Sequence, residues 1–118
     1  MFCMENMHYN ISVRLYTAGK CFGPGMATLL SLVRERHSLR AAAAEMGMAY
    51  SKAWRILRDC EQALGFPLLD STTGGRHGGG AVLTEEGAAI LEDYERFCRE
   101  LKKQGDELFT QCFGHWLG

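Results

Sequence analysis

Four consecutive alanines, Ala41 to Ala44, lie between Ser38 and Gly47, and a second apolar-periodic stretch begins just beyond that glycine. This feature most narrows what the chain can become. Alanine gives up no side-chain entropy in a helix, and its small size lets another helix approach closely. Ser38 is a good N-cap, and Gly47 can supply the left-handed residue that often follows a helix. The spacing therefore predicts a short helix over Leu39–Met46, a tight turn at Gly47, and a further helix from near Ser51 to Leu64, closed by Gly65. That helix has an apolar side of Ala53, Trp54, Leu57, Cys60 and Leu64. Its opposite side carries Ser51, Lys52, Arg55, Arg58 and Asp59.

Upstream, Met26, Leu29, Leu30 and Val33 recur at helical spacing, which predicts a helix over 26–36. Leu29, Leu30, Val33, Leu39, Ala43, Met46, Trp54 and Leu57 are the expected core. Before this helix the pattern alternates. Ile11, Val13 and Leu15 point one way, Ser12, Arg14 and Tyr16 the other, as in a half-buried strand. Thr17 to Lys20 reads as a hairpin turn, Cys21-Phe22 as a short return strand, and Gly23-Pro24-Gly25 as its end. Residues 1–10 have no period and are expected to be a flexible terminus.

Downstream, Leu68–Ser71 and Ala81–Leu83 read as two strands around TTGGRHGGG, five glycines in nine residues. Thr84 then caps a last helix whose first turn holds Glu85 and Glu86, where negative charge is favoured. Leu91, Tyr94, Cys98, Leu101, Gly105, Leu108 and Cys112 follow in steps of three and four. The expected architecture is mainly α with a small β component: a winged helix-turn-helix with an N-terminal hairpin and a long C-terminal dimerisation helix. The boundaries are 1–10 for the terminus, 11–83 for the winged domain, 84–108 for the dimerisation helix and 109–118 for a tail.

Such a domain implies double-stranded DNA as the partner. A helix enters a major groove about 12 Å wide when one side is short and polar and the other is held by a core. Ser51, Lys52 and Arg55 lie near the start of the third helix, with Arg58 one turn on and Tyr50 at the turn before it. Arginine offers a fork to guanine, serine a short donor or acceptor, lysine a base edge or a phosphate. At the glycine-rich tip, backbone could approach a phosphate chain or a narrow groove and deliver Arg76 and His77. The net charge of −1 excludes a uniformly basic binder, yet residues 34–80 hold seven basic against five acidic side chains and residues 81–118 four against eight. One polyanion-facing side fits that distribution.

The run AAAAEMGMAYSKAWRILRDCEQALGFPLLDSTTGGRHGGGAVLTEEGAAIL resembles the N-terminal DNA-binding domain of the ModE molybdate-responsive repressors, relatives of the LysR-type regulators. The most specific stretches are GMAYSKAW and TGGRHGGGAVLTEEG. The resemblance implies a homodimer, held through N-terminal and long C-terminal helical segments, on an operator with dyad symmetry. By it Tyr50, Ser51, Lys52 and Arg55 match recognition-helix positions, and Arg76 the basic wing position. Full-length members carry molybdate-binding domains beyond the region matched here, so molybdate sensing is not carried over and any effector is left open.

Leu91, Tyr94, Cys98, Leu101 and Leu108 are the expected dimerisation residues. Cys3, Cys21, Cys60, Cys98 and Cys112 are odd in number, widely spaced and without a CxxC. They read as thiols of a reduced, cytoplasmic, DNA-associated protein, with no metal or other cofactor. No apolar run approaches a membrane span. No nucleophile–base–orienter set points to an enzyme. Two alternatives stay open: a winged helix that binds protein, and a small oxyanion- or metal-responsive sensor.

Overall fold

A computed structural model describes residues 6–72 and 80–117. In chain order it comprises β1 (Leu15–Tyr16), β2 (Lys20–Phe22), α1 (Pro24–Arg36), α2 (Leu39–Glu45), α3 (Tyr50–Leu64), β3 (Leu69–Thr72), β4 (Gly80–Leu83) and α4 (Glu85–Phe113). A short 3-10 turn follows over Gly114–Trp116. The two strand pairs are separate antiparallel hairpins, β1 with β2 and β3 with β4. The architecture is the expected winged helix-turn-helix.

The local causes are those the residues announce. Ser38 accepts the Ala41 amide at 3.0 Å and so caps α2. Gly47 takes φ +68° after its end, and Gly65 takes φ +88° after α3. Helix α1 starts two residues earlier than its apolar period, because Pro24 serves as a first-turn residue with its φ already helical. His37 closes that helix in the left-handed region, at φ 58°. Its carbonyl then accepts the Ala81 amide at 3.0 Å, tying β4 to the α1–α2 corner.

The core lies where α1, α2, α3 and the first turns of α4 meet. Leu29, Leu30, Val33, Leu39, Ala43 and Leu57 are buried as expected, with Phe22, Leu68 and Leu91 beside them. Met46 and Trp54 are only half-buried and pack on its edge. Cys60 is buried, donates to the Cys21 carbonyl, and has its thiol pushed up to about 12, chiefly by burial. It is a packing residue held far from thiolate.

Three expectations need correction. The strand over 11–16 shrinks to Leu15–Tyr16; Val13 and Leu15 pack on the core, but Ile11 is exposed. Of the terminus expected over 1–10, residues 1–5 lie outside the described residues, and the rest is tied to α4, where Tyr9 donates to the Lys102 carbonyl (3.1 Å) and to Asp106 Oδ1 (2.6 Å). Its ring also stacks against Phe109. Four residues on, the Val13 carbonyl accepts the Tyr94 hydroxyl at 2.7 Å, so this segment runs antiparallel along α4. Finally, α4 continues past 108 to Phe113, with the Phe109 and Phe113 rings 5.2 Å apart.

Candidate nucleic-acid interface

Helix α3 is presented by three supports. Its buried row of Ala53, Leu57 and Cys60 sits in the core. Near its end, Glu61 Oε2 accepts the Leu68 and Leu69 amides at 2.7 and 3.4 Å, linking it to the start of β3. The Ala63 carbonyl accepts the Thr17 hydroxyl at 3.0 Å, linking it to the first hairpin. What remains faces outward: Ser51, Lys52, Arg55 and Arg58 are exposed, and Ser51, Arg55 and Arg58 share one face at helical spacing.

An edge of stacked rings divides the buried side of α3 from this face. Tyr50 and Trp54 lie one turn apart, edge to face, with centroids 6.3 Å apart and planes at 82°. Arg58 lies over the Trp54 ring at 5.2 Å, and Arg40, from α2, lies over the Tyr50 ring at 4.1 Å. Trp54 is half-buried, with one part packed on the core and the Arg58 guanidinium over its ring. Tyr50 is likewise half-buried, packed on the core with Arg40 over its ring.

The electrostatics favour an anion. Among the described residues no carboxylate pairs with Arg40, Lys52, Arg55 or Arg58. Other arginines of the domain are committed: Arg36 pairs with Glu45 at 3.0 Å, and Arg34 with Glu95 at 3.9 Å. Ala49, the N-cap of α3, has no side-chain oxygen with which to cap the first-turn amides. Arg76 and His77, the two expected wing residues, lie outside the described residues. β3 and β4, on either side of the tip, pair in register from Leu69–Leu83 to Thr72–Gly80.

Not every expected site residue is available. Leu91 and Tyr94, expected in a dimer seam, are buried within this chain, at 0% and 6% exposure. A three–four stripe cannot distinguish a helix's own core from a partner's surface, and here its first two members fill the former. Cys98 is half-buried against the same core. Leu101 is half-buried, and Leu108 is exposed. Phe97, absent from the expected set, is 52% exposed. Arg40 was also missed: it sits on the outer side of α2, and only the turn geometry brings it to Tyr50.

Residues 25–88, which carry this helix-turn-helix and its wing strands, match the family described as "Bacterial regulatory helix-turn-helix protein, lysR family". The chain belongs to that family. As a lysR-family helix-turn-helix protein it is similar to the Molybdenum-pterin-binding protein MopB of Rhodobacter capsulatus, 34% identical over 70% of this chain and 30% of the relative. It also resembles the DNA-binding transcriptional dual regulator ModE of Escherichia coli, 30% identical over 86% of this chain and 39% of the relative. The Transcriptional regulator ModE of Haemophilus influenzae is 29% identical over 78% of this chain and 36% of its own length. The chain thus spans about a third of the length of these relatives. The likeness to ModE regulators expected from the two quoted motifs holds. A regulatory family also bears out the expectation of a protein that is not an enzyme. Among the described residues, no helix is long and apolar enough to cross a membrane.

Proposed function

We propose that this chain is a sequence-specific, double-stranded-DNA-binding transcriptional regulator acting in the cytoplasm as a homodimer. The observation that carries this is the exposed face of α3. It is held rigidly from behind, polar throughout, and bears Lys52, Arg55 and Arg58 without carboxylate partners among the described residues. In this proposal Ser51 and Arg55 read base edges from the major groove, with Tyr50 at the first turn beside them. Lys52 and Arg58 neutralise flanking phosphates. Arg76 and His77 at the wing tip reach the backbone or the minor groove.

The same proposal includes a dimer formed through α4. Helix α4 spans 29 residues, about 43 Å at 1.5 Å per residue, and extends well beyond the core. Leu101, Leu108 and the 52%-exposed Phe97 give it an apolar surface suited to a second copy. A two-fold pair would set its recognition helices about 34 Å apart, one turn of DNA. Selection from a random duplex pool tests the function: the chain should enrich a site with dyad symmetry. Recovery of no preferred sequence would refute it. Sedimentation at micromolar concentration should show a dimer, and Phe97→Glu with Leu108→Glu should shift it to monomer. A wild-type monomer at that concentration would remove the seam.

A further inference from the structure

We propose that Arg40 on α2 is a phosphate-backbone anchor of this interface, and that Tyr50 is the platform that holds it. The inference rests on the DNA-binding reading above and adds a residue outside the recognition helix. Arg40 is the second residue of α2 and Tyr50 the first of α3, so the pair closes over the turn between the two helices. The guanidinium carbon lies 4.1 Å from the ring centroid, in the range of direct cation–π contact. Arg40 is exposed, and among the described residues it has no hydrogen-bond or carboxylate partner. That separates it from Arg36, four residues earlier, which is neutralised by Glu45.

The chemistry of the stack assigns the ligand. A guanidinium held by an aromatic face keeps its N–H groups free, because stacking uses none of its donors. Those donors form a planar fork suited to two phosphate oxygens. The fixed ring also restricts the long side chain before any ligand arrives, which lowers the ordering cost of contact. The helix preceding a recognition helix crosses the backbone and does not enter the groove. A cation placed there meets phosphate, and its effect is to position the domain without reading sequence. Tyr50 then acts through Arg40 as a positioning residue.

The probes are a labelled duplex selected by the wild-type chain from a random pool, and a scrambled duplex of equal composition. Both are titrated over a salt series. Arg40→Ala should weaken both about fivefold, the size of an exposed ionic contact. It should also lower the slope of log affinity against log salt by about 0.9 per copy. Tyr50→Leu should lower the slope by the same amount, Tyr50→Phe should leave the slope at its wild-type value, and the double variant should lose no more of it than Arg40→Ala. Melting curves show whether Tyr50→Leu remains folded; if it does not, Arg40→Ala and Tyr50→Phe alone decide. An unchanged salt slope in Arg40→Ala overturns the anchor and leaves the function intact. Loss confined to the selected duplex overturns it too, because that is base reading. If the wild-type chain selects no duplex, the functional reading fails and the anchor with it.

Discussion

Replacing Gly87 by alanine probes the joint on which the long helix is mounted. Gly87 is buried in the first turn of α4, and a Cβ built there would lie 2.3 Å from the Leu68 carbonyl oxygen and 3.0 Å from its carbon. An ordinary carbon–oxygen approach is about 3.3 Å, so backbone must move by about 1 Å. No rotamer can relieve that contact, because a Cβ is fixed by its own backbone and the Leu68 atoms it meets are main chain. The same Leu68 oxygen accepts the Thr84 amide at 3.0 Å, and the Thr84 hydroxyl donates to the Pro67 carbonyl at 2.7 Å. Forcing this corner apart should cost about 1–3 kcal/mol for overpacking and about 1 kcal/mol for the strained hydrogen bond. The better helix propensity of alanine returns about 1 kcal/mol. The net is about 2 kcal/mol, or a melting temperature lower by about 8 °C or more. Gly105→Ala is the control. Its Cβ would meet the Tyr9 hydroxyl at 2.6 Å, the far end of a side chain that can swing away. Thermal unfolding by circular dichroism should show Gly87→Ala well below wild type and Gly105→Ala within about 1 kcal/mol of it. A Gly87→Ala protein that melts with the wild type would refute the close-packed joint.

Trp54→Ala should cost about 2 kcal/mol in chemical denaturation, less than the 3–5 of a fully buried aromatic, because the ring is half-buried; a loss above about 4 would mean it is core. The Tyr9–Asp106 bond should be visible in pH titration. The Asp106 hydrogen bond, then burial, then the Asp106 charge raise the Tyr9 phenol to about 12. The Tyr9 bond, then Lys102, hold the Asp106 carboxyl below its usual range. For Tyr9 the raised value means stabilisation that is complete below pH 10 and lost as pH rises towards about 12. For Asp106 the depressed value means stabilisation present above its ordinary 3.8 and lost as pH falls below that. Phenolate absorbance should show Asp106→Asn bringing one tyrosine back towards 10, and no change would break the pairing.

Much of the fold was legible because helix signals are local. Ser38, Gly47, Gly65 and Thr84 each sit within a few residues of the ends they define, and the rows in α1 and α3 repeat at a period only a helix satisfies. The misses are non-local. Ile11 to Tyr16 alternates like a strand, yet most of it lies along α4 with no ladder partner, a placement set by Tyr9 and Tyr94 reaching across the chain. The end of α4 was read too early because Phe109 and Phe113 stabilise one another without extending the earlier stripe. Gly105 weakened that stripe on paper; in three dimensions it is the gap that admits the Tyr9 ring. For the candidate site, the polar face of α3 followed from spacing alone. The Arg40–Tyr50 stack did not, since no pattern links an exposed arginine to a tyrosine ten residues on until the turn is folded.

The most direct measurement compares wild type with Arg55→Ala on the selected duplex and on its scrambled counterpart, at one fixed salt concentration. If α3 reads bases through Arg55, the variant should lose about 1–3 kcal/mol on the selected duplex, with relaxed preference at one base position. On the scrambled duplex its loss should be much smaller. An equal loss on both duplexes would contradict base reading by Arg55, and no loss on either would remove that side chain from the interface.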